Sequence, residues 1–213
     1  MENSFIALLE HDSITIRHPK TGLPVKLYRI IAKKTFKIFD FTINIYDIGG
    51  WAQSINNFTD KESWLFNGSK IFDSATISNS VMFENSVVYE NCNIEGSKIY
   101  NNSRVYNNAH IIGSTLKNMC DVYGNCKVYN STILNSVKVF GDALIEDSTL
   151  SIGCAAFDHS IIKNSTITDI CVIKGDAIVE NCKYSGRVVK LTGKYLNETL
   201  DITEKLSIVE GFE

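Results

Sequence analysis

Strong charge of either sign is missing from this 213-residue chain, whose net charge is -3 with 21% charged residues. That argues against a bulk electrostatic partner such as duplex DNA or an anionic membrane. Long apolar runs are missing too. The N-terminus, MENSFIALLEHDS, has no basic region and an apolar run of five residues. It reads as neither a signal peptide nor a membrane span, so the expected location is the cytoplasm, with the six cysteines as thiols. No CxxC spacing occurs, and histidine is scarce, with four residues. Proline is nearly absent, with two, while Asn, Ser, Ile and Val abound. That balance favours β structure with polar turns over helix, in a chain long enough for one domain with a real core.

What is present is a repeat. Small residues recur every 17 positions in three columns: Ala75, Cys92, Ala109, Cys126, Ala143, Ser160, Ala177; Ser80, Ser97, Ser114, Ser131, Ser148, Ser165, Cys182; and Ser69, Ser86, Ser103, Cys120, Val137, Cys154, Cys171, Val188. Two residues after most of them stands a larger aliphatic, such as Ile77, Ile94, Val105, Ile111, Val122 or Ile133. Residues two apart on a strand share a face, so each pair points the same way. Three such strands per repeat close a triangular coil with the pairs inside. About seven coils at ~4.8 Å per strand give a rod of roughly 34 Å. One corner has a single turn residue per coil, always Asn, Gly or Asp: Asn79, Gly96, Gly113, Asn130, Asp147, Asn164, Asn181. These types best tolerate a left-handed backbone.

The order of aliphatic, turn residues and small residue resembles the hexapeptide repeat of left-handed parallel β-helices, over residues 64 to 190, with one corner shortened. The resemblance supplies the handedness; the expected fold is an all-β, triangular, single-stranded left-handed β-helix with small caps. Residues 1–63 lack the repeat and are expected to form a β-rich N-terminal cap, 64–188 the solenoid, and 189–213 a C-terminal cap or interface segment. In the cap, Ile14–Ile16 and Val25–Ile31 around a Pro/Gly turn read as a hairpin, and FKIFDFTINIYDIGG as a further strand ending at Gly49-Gly50. KLYRIIAKK and YDIGGW ahead of the repeats resemble a set of bacterial and phage-associated left-handed β-helix proteins, often labelled transferases on fold alone. That resemblance assigns no active residues.

The cysteines all fall in the small inward column and are expected to be core residues, with neither metal nor disulfide role. Hexapeptide-type acyltransferases use acyl-CoA and a histidine base beside a loop that interrupts the coils. Here the register is unbroken from Ser69 to Val188, and His110, the best candidate base, has Asn93 and Lys127 as column neighbours. His110 and His159 differ by 49 positions, not 51, so they share no column and cannot ligate one metal in a subunit. No cofactor is expected.

Two surface patterns carry the functional expectation. Phe72, Tyr89, Tyr106, Tyr123, Phe140 and Phe157 form an outward aromatic column at 17-residue spacing, flanked by Lys70, Arg104 and Lys138. Such a column stabilises neighbouring coils, and suits a protein interface or single-stranded nucleic acid. The second pattern is an outward apolar patch, Leu144, Ile161 and Ile178, with Val172 and Val189 around the corner. It suggests a homo-oligomer seam, a fold-back or a partner site. The expected function is a non-enzymatic, rigid protein-binding surface, specifically a phage or mobile-element protein that inhibits a host factor. The alternatives are an acyltransferase with His110 as base, and RNA or single-stranded nucleic-acid binding along the stripe.

Overall fold

The inward pairs build what their period requires. The structure, a computed structural model, describes residues 5–186 and 189–201, for Val189, Leu200 and Asp201 the backbone alone. Val188 and residues 202–213 of the expected C-terminal cap lie outside the described residues. The chain is a parallel β-solenoid of three sheets, stacked in register every 17 residues: Val87 pairs with Arg104, Asn93 with His110, Lys98 with Thr115. The first face runs from Ile48–Ala52 to Val189–Leu191, the second from Thr76–Ser78 to Lys194–Leu196, and the third from Trp64–Leu65 to Thr199–Asp201. The second face alone contains 8 strands, about eight turns in all. The first turn thus begins at Ile48, within the segment expected as cap, and the last passes the expected end at Val188.

Inside, the aliphatics stack on themselves: Ile77, Ile94, Ile111, Val128, Ile145, Ile162 and Val179 are all fully buried. Every single-residue corner adopts the left-handed backbone expected of it, from Asn79 at φ +44° to Gly113 at +59°. Behind that corner the serines form an internal ladder. Ser114 Oγ accepts from Ser131 N at 3.0 Å and donates to Ile112 O at 2.7 Å, and its column mates repeat the pattern. Ser160, in the column otherwise held by Ala and Cys, buries a hydroxyl with no hydrogen-bond partner. Ser114→Ala is therefore expected to lower stability by about 1–3 kcal/mol and Ser160→Ala to preserve or raise it. Urea unfolding of the two variants measures the difference.

The next corner has two left-handed residues in five successive coils, led by Glu84, Asn101, Asn118, Asn135 and Ile152, and one, Asp169, in the coil after them. Ile152 is the misfit: a β-branched residue at φ +57° with its side chain exposed. Ile152→Asn is expected to stabilise the chain by about 1 kcal/mol, seen as a raised Tm.

Two hairpins precede the coils. β1 (Ile6–Arg17) and β2 (Pro24–Ala32) pair antiparallel, Ile14 against Leu27 and Ile16 against Val25. β2 in turn joins β5 (Ile48–Ala52), the first coil strand. Between them FKIFDFTINIYDIGG is not one strand. It folds into β3 (Phe36–Ile38) and β4 (Phe41–Ile43), because Phe39 at φ +50° reverses the chain and Ile38 pairs with Phe41. The apolar alternation changes phase at that turn, from 36 and 38 to 41 and 43.

At the other end the register slips. Cys171 pairs with Val189 and Val172 with Lys190, a step of 18 where the preceding coils step by 17. The outward column of Ala155 and Val172 thus continues into Lys190, not Val189.

Candidate functional site

The aromatic column stands on the outer side of the first face, where each ring projects at the strand end one coil above the last. From Phe72 to Phe157 successive rings lie parallel within 11°, with centroids 4.7 to 5.2 Å apart. Strand stacking sets that spacing, so each ring covers the faces of its neighbours and leaves its edge outward. Tyr106, Tyr123, Phe140 and Phe157 are half-buried by this mutual stacking. Burial holds the Tyr106 hydroxyl up at about 12, so it stays a neutral donor at physiological pH. Two of the flanking cations are engaged. Arg104 makes two 2.7 Å hydrogen bonds to Asp121, and Lys70 donates to Gly68 O at 2.9 Å, its pKa lowered by burial. Lys138 is exposed.

Phe72 and Tyr89 are not open. The distal half of the β1–β2 hairpin curls over them, and Val25, Leu27, Trp51, Phe72 and Tyr89 form a buried cluster with Ile14, Ile16, Val87 and Tyr106 at its edge. His18 at the hairpin turn is the clasp. Its Nδ1 accepts from Lys20 N and Thr21 N, both at 3.1 Å, so the proton sits on Nε2, which donates to Asp73 Oδ2 at 2.9 Å. The ring stands edge-on to Phe72 and Tyr89, at 5.7 and 5.6 Å. Next to it, Lys20 Nζ donates to Glu90 Oε1 at 2.7 Å. An open cleft of about 580 Å³ lies between this turn and the coil corner at Glu90, Asn91 and Asn108.

Burial alone would raise the Glu90 carboxyl. The Lys20 hydrogen bond, the Asn107 donors and the Lys20 charge outweigh it and hold the group below the usual glutamate range. A depressed folded value means this latch contributes at neutral pH and is lost as pH falls through that value. Hairpin amides in the native chain are expected to lose exchange protection progressively as pH falls from the ordinary glutamate range through that lower value. Lys20→Met should remove most of that pH dependence while the core amides stay protected.

No family model matches the chain, and no curated protein does.

A second aromatic ladder escaped the sequence reading, although the same 17-residue count finds it. Phe66, Phe83 and Tyr100 stack at 4.2 and 4.4 Å at the end of the third face. The β3–β4 hairpin seals it: Phe41 packs on Phe66 and Phe83, and Phe36 on Trp64. Trp64 and Val81, outward on their strands, are buried beneath the same hairpin. Each hairpin of the cap therefore covers the start of one aromatic ladder. The third-face ladder ends at Lys117, whose ammonium lies over the Tyr100 ring; the first-face ladder continues uncovered.

On the second face, His110 is an outward tile. Asn93 Nδ2 donates to its Nε2 at 2.8 Å, Thr76 Oγ1 donates to Asn93 Oδ1 at 3.1 Å, and its ring meets Tyr129 edge-on at 5.9 Å. One of the two ring nitrogens is thus already engaged as acceptor of an amide hydrogen bond. Further along, Leu144, Ile161 and Ile178 pair in register, half-buried, on the last coils. All six cysteines are buried free thiols. Burial pushes Cys126 up to about 12, and a side-chain hydrogen bond with Cys171 that favours the protonated thiol, together with burial, pushes Cys154 well above its usual range. Such thiols are poor nucleophiles and poor metal ligands. Among the described residues no group of three or more His, Cys, Asp or Glu side chains is placed to hold a metal ion, and no helix is long and apolar enough to cross a membrane.

Proposed function

We propose that this chain is a non-enzymatic binding scaffold, a β-solenoid that engages another protein along the open rungs Tyr106, Tyr123, Phe140 and Phe157. The observation that carries this reading is the parallel stacking of those rings, with steps of 4.7, 5.0 and 4.7 Å. A nucleobase or sugar ring needs an aromatic face, and here the faces are occupied by neighbouring rungs. What remains is a straight row of apolar edges with two phenol hydroxyls, a surface that suits a protein interface. The pairing of Arg104 with Asp121 neutralises the central one of the three flanking cations, against the continuous positive track that a nucleic acid would require.

The likeness of the cap to bacterial and phage-associated left-handed β-helix proteins makes a host factor the partner class we favour, with inhibition of a host defence complex as the consequence. The buried free thiols suit a reducing compartment, and the cytoplasm is the proposed setting. The Leu144, Ile161 and Ile178 patch is the proposed secondary contact, between copies of the chain.

Affinity capture from the native host tests the stripe. Wild-type chain is expected to retain a specific protein that the Tyr123→Ser/Phe140→Ser double variant loses at least about tenfold, a plausible cost for two interface aromatics. Thr132→Ser on the third face should retain it. Equal capture by both chains, or none by either, would count against the proposal.

A further inference from the structure

The first face carries its own example of an occupant. At its N-terminal end the β1–β2 hairpin lays aliphatic residues over Phe72, Tyr89 and Val87. The imidazole at its turn donates to Asp73 beside the first ring. Asp73 Oδ2 is fixed for that role, since it also accepts from Glu90 N, one coil on, at 3.0 Å.

The same arrangement recurs, uncovered, at the other end. Phe157–Asp158 stands five repeats after Phe72–Asp73, in the same register positions of the coil. Asp158 has the same left-handed backbone, φ +60° against +57°, and its Oδ2 accepts from Gly175 N, one coil on, at 3.0 Å. Its column mates in the intervening coils are Glu90, Asn107, Gly124 and Gly141, so beyond the covered rung Tyr89 no acid follows Tyr106, Tyr123 or Phe140. The flanking column changes in parallel. It begins at Lys70, is apolar at Val87 under the hairpin, charged at Arg104, Asp121 and Lys138, and apolar again at Ala155 and Val172. Asp142, Asp176 and His159 surround the corner, with His159 3.5 Å from each of the two carboxylates, so the local field favours a cationic or N–H donor.

We infer that Phe140, Ala155, Phe157, Asp158 and Val172 form a docking site for a β-hairpin of the partner protein. That hairpin carries alternating aliphatic residues and an imidazole or ammonium donor at its turn. The inference rests on the binding role proposed for the stripe and specifies its occupant. The aliphatics lie across the ring edges and the donor reaches Asp158 Oδ2, as His18 reaches Asp73. Because the site is continuous with the face already covered by the chain's own hairpin, a partner strand extends an existing contact along the same ladder.

The test uses the full chain and, as probe, a cyclised peptide of residues 12–27, since an open hairpin in isolation is only marginally ordered. Saturable 1:1 binding is expected by calorimetry. Asp158→Asn or Phe157→Ser in the chain, and His18→Ala in the peptide, should each weaken it at least about tenfold, the scale of one charge-assisted contact. Circular dichroism of each variant confirms that the coil is intact. Absence of saturable binding, or binding unchanged by Asp158→Asn and Phe157→Ser, overturns the inference. So does binding lost in Asp73→Asn and kept in Asp158→Asn, which would mean exchange with the chain's own hairpin at the covered end. Host-protein capture that depends on Tyr123 and Phe140, without any peptide binding, removes this docking mode while the stripe's role stands. Peptide binding at Asp158 without such capture supports the site and removes the host-protein reading.

Discussion

Gly50→Val is expected to detach the N-terminal cap from the solenoid. A Cβ on Gly50 would stand 2.6 Å from Ser69 O, 2.8 Å from Ser69 Oγ and 2.9 Å from Phe66 O, and one on Gly49 would stand 2.5 Å from Leu65 O and 2.6 Å from Ile30 Cγ1. Three of these five atoms are backbone carbonyls that cannot rotate away, so β5 must move from its neighbours. The glycines of YDIGGW are thus explained by close approach: β5 is squeezed between β2 on one side and the first full coil on the other. Overpacking of this kind costs about 3 kcal/mol or more. The damage should spread, because the cap closes the open end of the core and an uncapped solenoid exposes it. Urea unfolding should show a lower midpoint for Gly50→Val, with exchange protection lost first in β1, β2 and β5. An unchanged midpoint would mean that β5 has room the geometry does not show.

The second large effect separates two adjacent residues. Ile111→Asp is expected to cost more than about 4 kcal/mol, because it buries a carboxylate among stacked aliphatics without a partner. His110→Asp, one position earlier, should stay within about 1 kcal/mol of the parent, since that side chain faces outward and loses only its contacts with Asn93 and Tyr129. Solubility and Tm of the two variants give the contrast. Similar losses for both would contradict the assignment of inner and outer faces on the second sheet.

Most of the coil was legible because its physics is local and periodic. The small/aliphatic pairs specify which face is inside, and Asn, Gly or Asp at the single-residue corner specify how the chain turns. Neither depends on distant residues. The hairpin caps were only half legible. Ile14–Ile16 against Val25–Ile31 shows the pairing, but nothing local says that the distal half leaves the sheet and covers Phe72 and Tyr89. That placement depends on contacts some 50 to 70 residues apart, His18 with Asp73 and Lys20 with Glu90. The FKIFDFTINIYDIGG stretch was misread because a two-residue turn leaves the apolar alternation nearly intact, and only its change of phase betrays the reversal. Val189 was placed by counting in seventeens, and the count fails where the last coils step by 18 and then 16 residues. The stripe was visible as six aromatics in a column, whereas its division into covered and open rungs required the hairpin.

The most direct test of the central claim is site-specific photo-cross-linking in the native host, with a benzoylphenylalanine placed in turn at Tyr123, Phe140 and Thr132. Binding along the open rungs predicts a covalent adduct with one and the same protein from positions 123 and 140, and none from 132 on the third face. Adducts from 132 alone, or no adduct from either aromatic position, would contradict it.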